Sequence, residues 1–319
     1  MSKSKILVIG ANGQIGTVLS QALRDTYGMD EVVTADITSP KKNVVGYFEK
    51  LDVLNKEQLR TIVKKHGVSQ IYHLAAMLSA KGEQNPHFTW KLNMEGLFNV
   101  LEVAREVHLK RIYFPSSIAV FGENTPPVKA PQLAALQPQT MYGITKVAGE
   151  QLCEYYYHKY DVDVRSLRYP GLISYQSLPG GGTTDYAVDI FHKAIKGAPF
   201  ECFLEADTRL PMMYMPDAIR ATLKLMNAPA DQISTHYGYN IQSMSFSPAE
   251  LAAEIKKHIP HFEISYRPDF RQKIARSWIE SMEDTLAKTD WGWQPEYDLE
   301  TMTKDMLSKL NRKYQSQEL

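Results

Sequence analysis

Near its start the chain runs Lys5-Ile6-Leu7-Val8-Ile9 directly into Gly10-Ala11-Asn12-Gly13-Gln14-Ile15-Gly16. From there it enters a helical pattern of Ile15, Val18, Leu19, Ala22 and Leu23. An apolar strand, a glycine turn and a helix in that order commit the first residues to a βα unit. Glycines allow a tight turn and leave its backbone bare to an approaching group. The helix behind them offers unpaired N–H groups and the positive end of its dipole, which together suit an anion such as a pyrophosphate. A purely structural turn could use two of the three glycines. No Gly-Lys-Ser/Thr follows, so a phosphoryl-transfer loop is not supported.

The alternation continues. Strand-like runs recur at 31–35, 45–51, 70–74, 111–115 and 162–167, with helical patterns at 56–66, 87–107 and 142–159 between them. Strands this apolar are covered on both faces, which predicts an α/β fold built on a Rossmann-type, doubly wound parallel sheet. After about residue 170 the character changes. Leu178-Pro179-Gly180-Gly181-Gly182 is a loop, and helices are expected over about 184–196 and from Pro216-Asp217. The run 236–241 could return one more strand to the first sheet. Pro260, Pro268, Gly292 and Pro295 break up the tail. The expectation is a dinucleotide-binding domain over 1–172 plus about 212–241. A smaller, interleaved substrate-binding domain then takes about 173–211 and 242–319.

Asp36 follows Gly16 by 20 positions at the end of the second strand. A carboxylate there can hold both ribose hydroxyls of a dinucleotide and would repel a 2′-phosphate. No Arg stands beside it, although Lys41 and Lys42 are near, so NAD is favoured over NADP. Asp52 with Val53, after the third strand, could meet the adenine edge. Leu74-Ala75-Ala76 keeps the end of the fourth strand small enough for backbone to lie against a cofactor. Read alone, these are ordinary loop residues.

Tyr142-Gly143-Ile144-Thr145-Lys146 opens a helix, and residues four apart share one of its faces. A phenol is a poor base at neutral pH. A nearby ammonium and a cationic nicotinamide would favour its phenolate. Bringing it from about 10 to near 7 takes about 4 kcal/mol, within reach of two close cations in a partly dry site. Ser117, at the end of the fifth strand, could hold the reacting oxygen by a hydrogen bond.

Several pieces in order span nearly the whole chain. They are the glycine loop, Asp36, Asp52-Val53, Leu74-Ala75-Ala76, Asn93, Ser116-Ser117, Tyr142-x-x-x-Lys146 and Arg168-Tyr169-Pro170-Gly171. Asp284-Thr285-Leu286-Ala287-Lys288-x-x-Trp291-Gly292-Trp293-x-Pro295 closes the series. Together they resemble the extended branch of the short-chain dehydrogenase/reductase superfamily. The resemblance implies Ser117, Tyr142 and Lys146 as the catalytic group. Ser117 is preferred to Ser116 because it stands 25 positions before Tyr142, as in the branch's epimerases. It further implies that Asn12, Gln14 and Ile15 join Gly10, Gly13 and Gly16 in holding NAD. The backbone of Tyr169, Pro170, Gly171 and Leu172 would meet the nicotinamide. Lys146 would lower the Tyr142 pKa and hold a ribose hydroxyl, and Asn93 would fix a water or backbone group linking Lys146 to solvent.

Dehydratases of this branch carry acidic residues directly after the serine position, where this chain has Ile118-Ala119. Epimerases need cations in the second domain for a diphosphate, and Arg209, Arg267, Arg271 and Arg276 keep that alternative open. A non-catalytic NAD sensor is the third reading, and an intact Ser117, Tyr142 and Lys146 counts against it. Three segments are instead similar to the short-chain L-threonine 3-dehydrogenases. These are Ala76-Met77-Leu78-Ser79-Ala80, Pro179-Gly180-Gly181-Gly182-Thr183-Thr184-Asp185-Tyr186-Ala187 and Leu210-Pro211-Met212-Met213-Tyr214-Met215-Pro216-Asp217. That family oxidises the β-hydroxyl of L-threonine to 2-amino-3-oxobutyrate with NAD+ and no metal. Besides Ser117 and Tyr142, Ser79 and Thr184 are then expected on the substrate carboxylate. Asp185 would take the ammonium or serve the helix N-terminus, and Met77, Met212 and Met213 would wall the pocket. The stretch 180–182 is a hinge for a lid or only a turn. By analogy the 87–107 and 142–159 helices would pair two copies into a homodimer.

Composition narrows the setting. Lys+Arg and Asp+Glu are both 36 among 319 residues, so no basic field exists to hold nucleic acid. A chain 44% hydrophobic and 23% charged is too apolar for disorder. No apolar run approaches the ~18 residues of a membrane span. Cys153 and Cys202, 49 positions apart, make neither a metal cluster nor a disulfide framework. A metal-independent cytoplasmic protein is expected, or one of an organelle matrix if an upstream targeting segment has been removed.

Overall fold

The structure, a computed structural model, describes residues 5–40, 46–178 and 180–316. Lys41, Lys42, Val45 and Pro179, which entered the sequence argument, lie outside the described residues. Strands β1 (Lys5–Ile9), β2 (Val32–Asp36), β3 (Tyr47–Lys50), β4 (Val68–His73), β5 (Arg111–Ser117) and β6 (Val164–Tyr169) form most of a seven-stranded sheet. Two short strands from the second half, β7 (Gly171–Ile173) and β8 (Phe200–Cys202), lie outside it. So does β9 (Leu210–Tyr214), whereas β10 (Gly238–Asn240) returns to the sheet beside β6. The spatial order β10-β6-β5-β4-β1-β2-β3 is parallel throughout. It reverses direction between β1 and β4, and a crevice opens beyond the carboxyl ends of those two strands, where sheets of this kind take ligands.

Helices α1 (Gln14–Tyr27), α2 (Lys56–His66), α3 (Ser79–Gln84), α4 (Pro86–Trp90), α5 (Gly96–Val107) and α6 (Met141–Tyr160) connect the strands. The single helix expected over 87–107 is in fact α4, a π-helical turn at Lys91–Glu95, and α5. A π turn inserts an extra residue and rotates the side chains around it, and here it carries Asn93 into the interior. One core lies between the sheet and α2, α5 and α6, with Leu7, Ile9, Ile71, Leu101 and Ile112 in its centre. The opposite core holds Ile6, Val8, Tyr72, Tyr113 and Leu167 beneath α1 and the helix over residues 215–227.

The second half of the chain supplies α7 (Tyr186–Ile195), α8 (Met215–Asn227), α9 (Pro248–Lys256), α10 (Phe270–Arg276), α11 (Thr285–Trp291) and α12 (Leu299–Gln315), of which α8 packs back on α1 and into the core beneath the large sheet. It also adds β11 (Met244–Phe246) and β12 (Ile264–Tyr266). β9 pairs with β7 and β11, and β8 pairs with β12. Alternate side chains of a strand face opposite ways, and β9 uses this to wall one unit from the other. Leu210, Met212 and Tyr214 enter the core of the second unit, while Met213 and the following Met215 enter the core beneath the large sheet. Ala287, Trp291 and Trp293, expected in the substrate-binding unit, also pack in the core beneath the large sheet. Trp291 lies edge-on to Tyr239 of β10 at 5.9 Å, so burial of two large rings takes this stretch across the domain division. No helix among the described residues is long and apolar enough to cross a membrane.

Candidate active site

A cavity of about 240 Å³ occupies the crevice beyond β1 and β4. Its floor is the glycine turn. Gly10 has φ +82, and a Cβ there would stand 2.7 Å from the Ala75 nitrogen. At Gly16 a Cβ would stand 2.2 Å from the Gly10 carbonyl oxygen. Both positions are glycine because the protein's own backbone fills the space. Gly13 differs: a Cβ there would meet only the Gly10 oxygen, at 3.3 Å. The space above Gly13 is open to a ligand, and the N-terminus of α1 has no side-chain cap. Bare N–H groups, a positive dipole end and an open approach fit the pyrophosphate of a dinucleotide.

Asp36 stands beside this turn and is held in place by it. One of its oxygens accepts from Asn12 N at 3.0 Å, and the other accepts from Thr38 N at 3.0 Å. Asn12 Nδ2 donates to Thr38 O at 2.7 Å. The carboxylate is therefore fixed at the end of β2, one strand away from the glycine turn, where a ribose would come. Asp52 accepts from Leu54 N at 3.0 Å and shapes its own turn. Asn12, Asp36, Asp52, Val53, Ala75 and Asn93 stand outside the cavity walls, and the other residues expected to catalyse or to hold cofactor or substrate by polar groups or backbone line it.

Ser117, Tyr142 and Lys146 come together where α6 meets β5. Thr140 caps α6 by accepting from Gly143 N at 3.0 Å. A Cβ at Gly143 would stand 2.2 Å from Ala119 O, so a glycine is needed for the first turn of α6 to press against the segment after Ser117. That close approach sets Tyr142 beside Ser117. Ser117 Oγ accepts from Ala119 N at 3.2 Å, and its hydrogen bond to Tyr142 favours the phenolate. Burial acts more strongly in the other direction and pushes Tyr142 up to about 12. Ser116 points away, donating to Glu150 Oε1 at 2.5 Å.

Lys146 is buried one turn along α6. Its Nζ donates to Pro115 O at 2.6 Å and lies 4.6 Å from the Phe114 ring centre and 5.5 Å from that of Tyr142. Desolvation lowers it to about 8, with the nearby Cys153 and Glu150 opposing. Burial and the Ser117 hydrogen bond act at Tyr142, while the Lys146 ammonium, hydrogen-bonded to Pro115 O, stands 5.5 Å from the tyrosine ring centre. His73, buried behind it, is driven down to about 3 by burial first and the lysine's charge second, so it stays neutral. Asn93 binds backbone, accepting from Met77 N at 2.8 Å and donating to Met77 O at 3.1 Å. It also donates to Thr145 Oγ1 at 3.0 Å, beside Lys146.

The far end of the cavity is walled by Leu78, Ile118, Leu172 and Trp278, with Ser79, Thr183, Thr184 and Asp185 as its polar groups. Thr183 Oγ1 is buried without a hydrogen-bond partner in the structure, a donor and acceptor left for a ligand. Asp185 accepts from Gly182 N at 2.8 Å through one oxygen and so folds the glycine loop over the cavity. Gln14 Nε2 reaches Leu178 O from the other side at 3.3 Å. Met77, Met212 and Met213 do not line the cavity; the last two are fully buried between the two cores. Sequence reading missed Thr183, Leu78 and Trp278. Thr183 sat unweighed inside a quoted segment, and Trp278 is an isolated ring in a tail without a local pattern.

Residues 6–241 match the NAD dependent epimerase/dehydratase family. A Staphylococcus haemolyticus protein described as an uncharacterized epimerase/dehydratase is 46% identical over 98% of this chain and 99% of its own. Among solved structures, a GalE-like L-threonine dehydrogenase from Cupriavidus necator, in its holo form, is 53% identical. It superposes with a TM-score of 0.95 over 96% of this chain and 99% of that one. A monomeric L-threonine 3-dehydrogenase from a metagenome, in its apo form, is 48% identical with a TM-score of 0.94, over 96% and 99%. The sheet order, the glycine turn at its reversal and these matches along nearly the full length leave one placement: the chain belongs to the NAD dependent epimerase/dehydratase family.

Proposed function

We propose that this chain is an NAD-dependent L-threonine 3-dehydrogenase, oxidising the β-hydroxyl of L-threonine to 2-amino-3-oxobutyrate. The observation that carries the choice of substrate is the cavity's far end. Among its lining residues the only charged groups are Lys146 and Asp185, and no arginine is present. The four arginines that kept a sugar-nucleotide diphosphate open do not line this cavity. Arg209 pairs with Glu250, Arg271 with Asp269 and Arg276 with Glu205, while Arg267 lies 4.0 Å from Glu201. A small zwitterion suits walls with one carboxylate, three hydroxyls and apolar side chains. A diphosphate does not.

The glycine turn, the α1 N-terminus and Asp36 would hold the dinucleotide, and Lys146 a ribose hydroxyl. When bound, NAD+ supplies the hydride acceptor. Ser79, Thr183 and Thr184 orient the substrate carboxylate, and Asp185 receives its ammonium through the oxygen not committed to Gly182. Ser117 donates to the β-oxygen. Tyr142, as phenolate, removes that oxygen's proton as the C–H bond breaks. Lys146 keeps a positive charge near the phenolate, and the apolar side chains of Leu78, Ile118 and Trp278 exclude water from the reacting carbon.

A homodimer, in a reducing compartment such as the cytoplasm or an organelle matrix, completes the proposal. Both cysteines are buried free thiols, and Phe98 on α5 with Ile144 and Tyr155 on α6 leaves apolar surface exposed for a second copy. The test is an assay of NADH formation with L-threonine, L-serine and UDP-galactose in parallel. L-threonine is expected to give NADH. Epimerised sugar without NADH from threonine would overturn the reading.

A further inference from the structure

Glu150 lies one turn after Lys146 on α6 and is completely buried. A carboxylate in that position costs several kcal/mol unless it is paired and hydrogen-bonded. Its Oε1 accepts from Ser116 Oγ at 2.5 Å and from Arg168 Nε at 2.9 Å, and its Oε2 accepts from Arg168 Nη2 at 2.7 Å. Arg168 is itself buried. Its Nη1 donates to Gln132 O at 2.9 Å and to Asn240 Oδ1 at 3.1 Å. Room for the pair is made in β10, where a Cβ at Gly238 would stand 2.6 Å from Glu150 Oε1 and 2.7 Å from Arg168 Cγ.

The partners matter by their place in the chain. Ser116 immediately precedes Ser117 on β5, Arg168 immediately precedes Tyr169-Pro170 on β6, and Glu150 shares a helix face with Lys146 and Tyr142. One carboxylate thus ties together the three segments that carry the reacting groups and the nicotinamide wall. Burying an ion pair is a poor way to gain stability, since apolar residues of equal volume often do as well or better. Fixing geometry is the better explanation. Groups that act in concert must be held to within about 0.5 Å.

We propose that Glu150 is a positioning residue for the reaction, acting through Ser116 and Arg168 to hold Ser117, Lys146 and Tyr169 in register. It touches neither substrate nor cofactor in this role. The inference rests on the dehydrogenase reading above. Ser116→Ala cuts the tie to β5 and leaves the ion pair whole, so this variant is expected to fold. Glu150→Gln keeps the shape but leaves Arg168 uncompensated. The measurements are kcat, KM for L-threonine, the NAD+ dissociation constant, Tm, and the isotope effect with L-threonine deuterated at the β-carbon.

Ser116→Ala should lower kcat about tenfold and Glu150→Gln about a hundredfold, the scale of a displacement of about 1 Å. KM and NAD+ binding should stay within about twofold, and the isotope effect should rise as hydride transfer becomes limiting. A folded Ser116→Ala variant with lowered Tm but unchanged kcat and isotope effect would show a purely structural pair and overturn the proposal. If Glu150→Gln does not fold, Ser116→Ala decides alone. An active wild type with unaffected variants removes only the positioning role, whereas a wild type that does not oxidise threonine removes the functional reading as well.

Discussion

Tyr142 and Lys146 present a residue-scale problem of charge. Burial pushes the phenol up to about 12 and the ammonium down to about 8, so both proton affinities move toward the neutral pair and away from the catalytic one. Ser117 works against this at the tyrosine by favouring the phenolate. In the proposed mechanism the rate rises with pH as Tyr142 loses its proton. Removing the neighbouring cation makes that loss harder. Lys146→Met should therefore move the rising limb of kcat/KM to higher pH, measured as a pH series of initial rates. A limb that stays in place would refute the lysine's electrostatic role. Tyr142→Phe should lower kcat by about 10²–10⁴, the usual contribution of a positioned base, with NAD+ binding nearly intact by fluorescence titration. Normal turnover in that variant would exclude Tyr142 as the base.

Elements explain which parts of this were legible in the sequence. β1, β4, β5 and β6 were readable because both their faces are covered, which leaves apolar runs with no competing interpretation. The glycine turn was readable because three glycines at fixed spacing followed one of those runs. β7, β8, β11 and β12 have three residues each, too short for any periodicity to register, and their partners are distant in sequence. The π turn that carries Asn93 inward left no sign in a pattern that reads as one continuous helix. Glu150 carries no sequence signal, because a carboxylate inside a helix ordinarily faces water and only the fold brings Arg168 to it. The glycine turn also separates two roles that the sequence merges. Gly16→Ala places a Cβ against the Gly10 carbonyl and should lower Tm along with cofactor binding. Gly13→Ala meets one atom at 3.3 Å and should leave Tm within a few degrees, yet weaken NAD+ binding more than tenfold. Calorimetry beside a cofactor titration would test this, and equal losses of Tm in both variants would contradict the assignment of Gly13 to the ligand.

At the scale of the whole molecule, the helix that carries Tyr142 and Lys146 has a second face. Phe98 on α5 is 42% exposed, and Ile144 and Tyr155 on α6 are 41% and 47% exposed. The rings form a connected set: Phe98 to Tyr156 at 6.5 Å, Tyr155 to Tyr156 at 5.9 Å and Tyr156 to Tyr160 at 5.1 Å. Trp90, at the end of α4, is 45% exposed. Apolar groups of this size, clustered on adjoining helices, favour a covering partner over water. A second copy, related by a two-fold axis, would present the same surface to itself and close the assembly. Covering α6 from behind would also stiffen the helix that sets Tyr142 against Ser117. The proposed dimer therefore predicts two linked outcomes. By sedimentation the wild type should run as two chains of 36.3 kDa. Phe98→Glu, which places a carboxylate in the centre of the patch, should run as one chain with a lower kcat and an unchanged NAD+ dissociation constant. A wild type that sediments as a single chain would remove the dimer and leave the active-site argument standing. A Phe98→Glu variant that separates into single chains at full kcat would show that Tyr142 and Ser117 are held in place from within one chain, by the Gly143 contact and the Thr140 cap alone.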